Sequence, residues 1–398
     1  MKRANMPHKY LAIFLLLLLS LCSWSKNDSS AVYNKSYVIN KIDSLQCKNH
    51  VFFKDGLFRA YTYTRDVNKT RDDDLVVASA NVALSLAYCK LNSDFDEKSE
   101  AMLDSMINRI RSNYWRYKNM NGGITYNSWQ SHPEPVPLPN SKFPKWMTNR
   151  MMPSDDLDCT SLVYSSMPKD SALLDSIKIL MAYHTNLNNG LELKVAPKKY
   201  RSRKDVYLEF YSSGIRQHVE FCSMTNFIML SFMHELPINR YDSATINLIK
   251  EMVIDRSYIK TPYLISMGYQ LPPILFYHLT RLMESGGKKY FGDIWELVIE
   301  DLNVKLTDAT TRMDKLTYSL CLRRLGCQSE VLINSSLINE FSNSRMGFTS
   351  AMYSMPYWIF KKYVQSDRFS GYSVCEGFNW CVLLEYLVLN DKLTAVKN

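Results

Sequence analysis

The chain has 398 residues, 46% hydrophobic and 22% charged, with a net charge of +9. That balance is ordinary for a globular protein, argues against disorder over most of the chain, and the length is enough for one large domain or two ordinary ones. Four of the 48 basic residues and none of the 39 acidic ones fall in the first 26 positions, so the rest carries only +5, too mild a charge to argue for a nucleic-acid partner.

In chain order, Lys2, Arg3 and Lys9 flank the apolar run Leu11–Leu21, "LAIFLLLLLSL". Eleven residues are too few to span a bilayer but suit the core of a secretory signal. Ser23-Trp24-Ser25 supplies a small-x-small cleavage site, so residues 1–25 are expected to be an export signal. "LSLC" at 19–22 resembles a lipobox that would lipidate Cys22. The expected location is the periplasm or a membrane surface reached through this N-terminus.

Residues 26–70 read as a lead-in, with a weakly alternating strand candidate, "GLFRAYTYT" (56–64). From residue 71 onward helical periodicity dominates. Asp73–Leu91 is followed by Glu97–Arg116, and Asp156–Ser166 by Ser171–His184. Val219–Glu235 pairs with Ser243–Asp255, Pro272–Glu284 with Asp293–Leu306, and Thr310–Leu325 with Ser329–Phe341; Tyr372–Leu389 closes the chain. "VYLEFY" (206–211) is a second short strand candidate. The first helix of each pair is apolar most of the way round and the second is amphipathic, as buried and covering helices are. The expected fold is all-α: an α/α toroid over residues 71–398, with an inner and an outer helical layer around a central cavity. An open α-solenoid is the alternative.

Other chemistries are poorly signalled. There is no CxxC pair, no zinc-like Cys/His spacing and no G-x-S-x-G. Cys89, Cys159, Cys222, Cys321 and Cys381 lie in apolar runs and read as small buried hydrophobes, with a Cys321–Cys327 pairing left open. His132 reads as a solvated loop residue and Lys198–Lys204 as a solvated basic loop. No metal or other cofactor is expected.

The connection Met120–Ser154 holds six prolines and two tryptophans, and it leads straight into "PSDDLDCTS", Pro153–Ser161. One reading makes this an ordinary helix start, with Ser154 or Asp155 as N-cap and Asp158 three residues on, as in a capping box. The other is chemical. Asp156-x-Asp158-Cys159-Thr160 resembles the acid motif of class II terpene cyclases, whose bacterial form is D-x-D-D-T or D-x-D-T-T and whose oxidosqualene cyclase form contains D-C-T. The upstream "NSWQ…PLPN…PSDDLD" resembles the approach to that motif in bacterial toroid proteins of this type.

The resemblance implies that Asp158 is the general acid, that Asp156, Cys159 and Thr160 orient it, and that Tyr126, Trp129, Trp146 and Thr160 contact an apolar isoprenoid substrate. Such an acid must stay protonated in a dry, apolar site, against the pull of a helix N-terminus. The sequence departs from the pattern at Cys159, at Ser161-Leu162 after the motif, and in lacking Q-x-x-x-G-x-W repeats. A metal-dependent D-D-x-x-D fails at Val76, and the nearest match to a prenyltransferase zinc ligand pair is Glu220-x-Cys222, with the wrong acid. Glu220 is also a possible cavity acid on a second helix start. Three functions therefore stay open: a terpene-cyclase-like enzyme, a carbohydrate-active toroid enzyme using paired carboxylates, and a non-catalytic envelope protein on the same scaffold.

Overall fold

The computed structural model describes residues 33–64, 69–136, 154–211, 217–266, 268–349 and 371–395. The expected export signal, Cys22 included, and Trp146 lie outside them. The fold is all-α in character, about 60% helix with few strands.

The first helix, α1 (Lys35–Leu45), falls inside the expected lead-in; the Asn34 side chain caps it by accepting from Tyr37 N, and it buries Val38, Ile39 and Ile42. Next come α2 (Val76–Asn92) and α3 (Glu97–Arg111), then α4 (Leu157–Ser166) and α5 (Ser171–Tyr183), then α6 (Phe221–Met233) and α7 (Arg240–Ile254). α2, α4 and α6 are buried around most of their circumference. α3 instead opens with Glu97 and Glu100, closes with Arg109 and Arg111, and buries one stripe, Leu103, Met106, Ile107 and Ile110.

α8 (Pro272–Asp308) breaks at Gly287, whose φ of 64° is open to glycine and costly for other residues. Its arm before the break is buried and its arm after is amphipathic, so the break separates the expected pair Pro272–Glu284 and Asp293–Leu306. α9 is Arg312–Arg324 and α10 is Glu376–Ala395.

Two expectations fail. Ser329–Phe341 forms only one turn, Ser335–Ile338. Asn334 accepts from Leu337 N, and the Asn334-Ser335-Ser336 cluster starts a helix late in a stretch that the Arg323 guanidinium already holds at Ser329 O. "VYLEFY" is no strand: it makes single bridges to either side, Tyr207 with Thr185 and Phe210 with Asp156.

The buried helices touch in a closed cyclic order: α2 with α4, α4 with α6, α6 with α8, α8 with α9, α9 with α10, and α10 with α2. Outside them, α3 packs on α2, α7 on α6 and α8, and α1 on α10 and α3. A four-stranded sheet ties the chain ends together: β1 (Tyr61–Thr64) lies between β2 (Lys69–Asp72) and the strand Gly371–Val374 that leads into α10, with Tyr61 opposite Val374. The starts of α2, α4, α6 and α8 converge. Val76 N donates to Ser128 O, the Ser128 hydroxyl to Asp156, Asn226 and Tyr269 to Asp158, and Ser266 to Glu220.

Candidate functional site

Asp156, rather than Ser154 or Asp155, caps α4: its carboxylate accepts from Cys159 N at 2.6 Å and from Ser128 Oγ at 2.7 Å. Asp155 instead gathers the 119–127 loop, accepting from Asn119, Thr125 and Asn127. The capping explanation of the motif therefore holds for Asp156 alone and leaves Asp158 to another role.

Asp158 sits in the first turn of α4 and is 3% exposed. One oxygen accepts from Asn226 Nδ2 at 2.7 Å and the other from the Tyr269 hydroxyl. Asn226 is fixed in turn: its Oδ1 faces His278 Nδ1 at 2.9 Å. Because the Asn226 amide donates to Asp158, the His278 imidazole donates here through Nδ1–H, which leaves Nε2 as an acceptor. Burial, then the charges of Arg281 and Arg324, hold His278 well below the usual imidazole range, so the ring is neutral.

Burial pushes Asp158 up to about 6, against the hydrogen bonds from Tyr269 and Asn226 and the charge of Arg281. Burial followed by the neighbouring Asp158 pushes Asp156 up to about 7. Two further carboxyls join from other elements. Glu209 is raised well above the ordinary range by burial and by Asp156, Glu220 and Asp158, and its Oε2 has no hydrogen-bond partner. Glu220, at the start of α6, accepts from the Ser266 hydroxyl and from Gly268 N. A dry cluster of this kind cannot hold four negative charges; protons must be shared within it.

The remaining expected site residues are distributed as follows. Cys159 has its sulfur 3.3 Å from Ser128 Oγ, and burial raises its thiol, which stays neutral. Thr160 donates to Asp156 O at 2.8 Å and accepts from Tyr126 N at 3.0 Å, stitching the loop to the helix. Tyr126 is buried edge-on between Tyr114 and Tyr164. Trp129 donates to Asp73 at 2.9 Å and, with Asp74, lines a small cavity of about 170 Å3. Tyr126 and Trp129 thus have packing and anchoring contacts of their own, none of which is with Asp158.

The groups that touch Asp158 are instead Asn226 and Tyr269, with His278 behind them. The signal for His278 and Arg281 was present: two polar residues three apart in the otherwise apolar run "PILFYHLTRLM". Tyr269 carried none, because a lone tyrosine in a connection gives no pattern.

A cavity of about 600 Å3 opens at the starts of α8, α9 and α10, lined by Leu271, Ile274, Tyr277, Met313, Tyr318 and Phe378 among others. Tyr277, on its lining, packs edge-on against His278 at 5.6 Å and Phe378 at 5.4 Å. Between the buried helices, polar side chains answer one another. Arg324 pairs with Glu385 and lies 3.7 Å from Glu284, Tyr277 donates to Glu385, and Tyr88 donates to Glu284. Among the described residues no group of three His, Cys, Asp or Glu side chains is arranged to hold a metal ion, and no helix is long and apolar enough to cross a membrane. The eight described cysteines carry free thiols, Cys321 and Cys327 included. No family model and no curated protein matches the chain, so its function is argued from this geometry.

Proposed function

We propose that this protein is a terpene-cyclase-like enzyme of the cell envelope, built as an α/α toroid, in which Asp158 protonates an apolar isoprenoid. The closed cyclic order of the buried helices supports the toroid, with α1 supplying the outer partner of α10. The observation that carries the chemistry is the setting of Asp158: a buried carboxyl beside a second one, hydrogen-bonded only by the neutral donors Asn226 and Tyr269. No ion pair fixes its charge, so it can carry a proton near pH 6. A cavity lined in part by Tyr277, Tyr318 and Phe378 suits an apolar chain and the cation that protonation creates.

The test is incubation of the exported form with linear C15, C20 and C30 isoprenoids in D2O, with products read by mass spectrometry. Wild type is expected to release a cyclised or isomerised product carrying one deuterium, and Asp158→Asn to lower its rate by at least about a hundredfold. Equal product from both proteins would sink the role of Asp158. The envelope location is tested by fractionation and by the mass of the mature N-terminus; an unprocessed cytosolic chain would refute it.

A specific observation favours a second reading, a toroid without chemistry. Both Asp158 oxygens are engaged, and the deeper interior is filled by the Arg324–Glu385–Glu284 network. Absence of product from wild type across the whole panel would support it. The carbohydrate reading gains carboxyls from different elements in Glu209 and Glu220. It lacks a wet groove around them, since Asp156, Asp158, Glu209 and Glu220 are each less than one-tenth exposed.

A further inference from the structure

Among the described residues three arginines are buried, and their surroundings differ. Arg324 faces two carboxylates, Glu385 and Glu284. Arg323 has no carboxylate but spends its donors on Ser329 O, Asn390 Oδ1 and the Tyr386 hydroxyl. Arg281, 6% exposed, makes one hydrogen bond, from Nη1 to Asn81 Oδ1 at 3.2 Å, and lies 5.1 Å from the Tyr277 ring centre. No carboxylate pairs with it among the described residues; Asp158, on which its charge acts, is already taken by Asn226 and Tyr269. Among the described residues no hydrogen bond engages its other donors, although the residue as a whole is buried.

One turn earlier on the same face of α8, His278 is 2% exposed, and among the described residues its Nε2 has no hydrogen-bond partner. A buried guanidinium without a counter-charge is costly and is normally paired. Its fork of donors matches the oxygens of a phosphate or carboxylate.

We propose that Arg281, with Asn81 and His278 beside it, is a binding site for an oxyanion, the phosphate or carboxylate head group of a ligand that enters the ring of helices. The site is independent of whether Asp158 transfers a proton, so it stands or falls apart from the reading above. Asn81, from α2, fixes one edge of the guanidinium and leaves the other edge for the anion. The imidazole, neutral and held through Nδ1, offers Nε2 to a protonated oxygen of the same group.

The test is calorimetric titration of the full exported chain with inorganic pyrophosphate, a C15 isoprenyl phosphate, the matching C15 alcohol and a C16 fatty acid. Wild type is expected to bind at least one anion saturably, with the isoprenyl phosphate at least tenfold tighter than the alcohol. Arg281→Met should erase that preference, and Arg281→Lys should keep part of it. Pyrophosphate binding alone identifies a free inorganic anion as sufficient, and binding only of the chain-bearing anions identifies a lipid-like ligand; both support the site. Without ligand, Arg281→Met should melt no lower than wild type, because it removes a buried, unpaired charge. No saturable binding of any anion to wild type, an anion preference that survives Arg281→Met, or a fall in melting temperature in that variant would each overturn the proposal.

Discussion

Replacing Asp158 by Asn tests its surroundings without any substrate. Burial raises the Asp158 carboxyl from 3.8 to about 6. Folding therefore takes up a proton between those values. The stability that goes with it is fully present below about pH 4 and is lost as the pH climbs through about 6. Roughly two pKa units at 1.36 kcal/mol each make this about 3 kcal/mol between pH 4 and pH 8. The side chain is almost fully buried, so solvent screening takes little from that figure. Asn keeps the shape, still accepts one hydrogen bond and cannot ionise. In urea denaturation series from pH 4 to pH 8, Asp158→Asn should thus lose about 3 kcal/mol less than wild type on going to high pH, and at pH 8 it should equal or exceed wild type. Parallel stability–pH curves for the two proteins would refute the claim that Asp158 is a desolvated acid.

Asn226→Ala should cost about 2–4 kcal/mol in chemical denaturation, because it strips a hydrogen bond from both Asp158 and His278 in a dry site. Arg324→Met should cost about 3–5 kcal/mol by leaving Glu385 as an unpaired buried charge, and adding Glu385→Gln should recover much of that loss, as a double-mutant cycle would show. Cys159→Asp would put a further carboxyl beside Ser128 and Asp156; melting curves should show it folded at pH 6 and weakened at pH 8, whereas equal melting at both would mean that the pocket admits water.

The helical pairs were legible because burial imposes its period on the sequence. "NVALSLAYC" and "NFIMLSFM" are apolar all round, and their helices lie inside. The break at Gly287 was legible as the gap between the expected helices Pro272–Glu284 and Asp293–Leu306, the first apolar and the second amphipathic. α1 was not, since "KSYVINKIDSL" buries only three residues and the rest are mostly polar, so its pattern is weak until α10 covers it. The acid motif was legible as an acid motif, and its N-cap was misplaced by one or two residues because Ser154, Asp155 and Asp156 all cap well. What surrounds Asp158 could not be read locally: Asn226 and Tyr269 come from 68 and 111 residues downstream. Nearby tryptophan and tyrosine were a poor guide to substrate contacts, because an aromatic ring in a loop is as readily an anchor, as Trp129 is for Asp73.

The polar interior divides into a closed set and an open one, and the division bears on function. Replacing a buried ion pair by apolar side chains of the same volume is often neutral or stabilising, so stability alone does not demand charges between buried helices. Arg324, Glu385, Glu284, Tyr277 and Tyr88 answer one another, and a purely structural role suffices for them. The chain from Tyr269 through Asp158 and Asn226 to His278 does not close in this way: it ends at an imidazole nitrogen and, one turn on, at a guanidinium with donors to spare. Leaving those groups unpaired costs stability in the free protein, and packing returns nothing for it. A ligand that takes up the open donors would. The place to look for function is therefore the face shared by Asp158, His278 and Arg281, while the aromatic residues of the preceding loop serve as its frame.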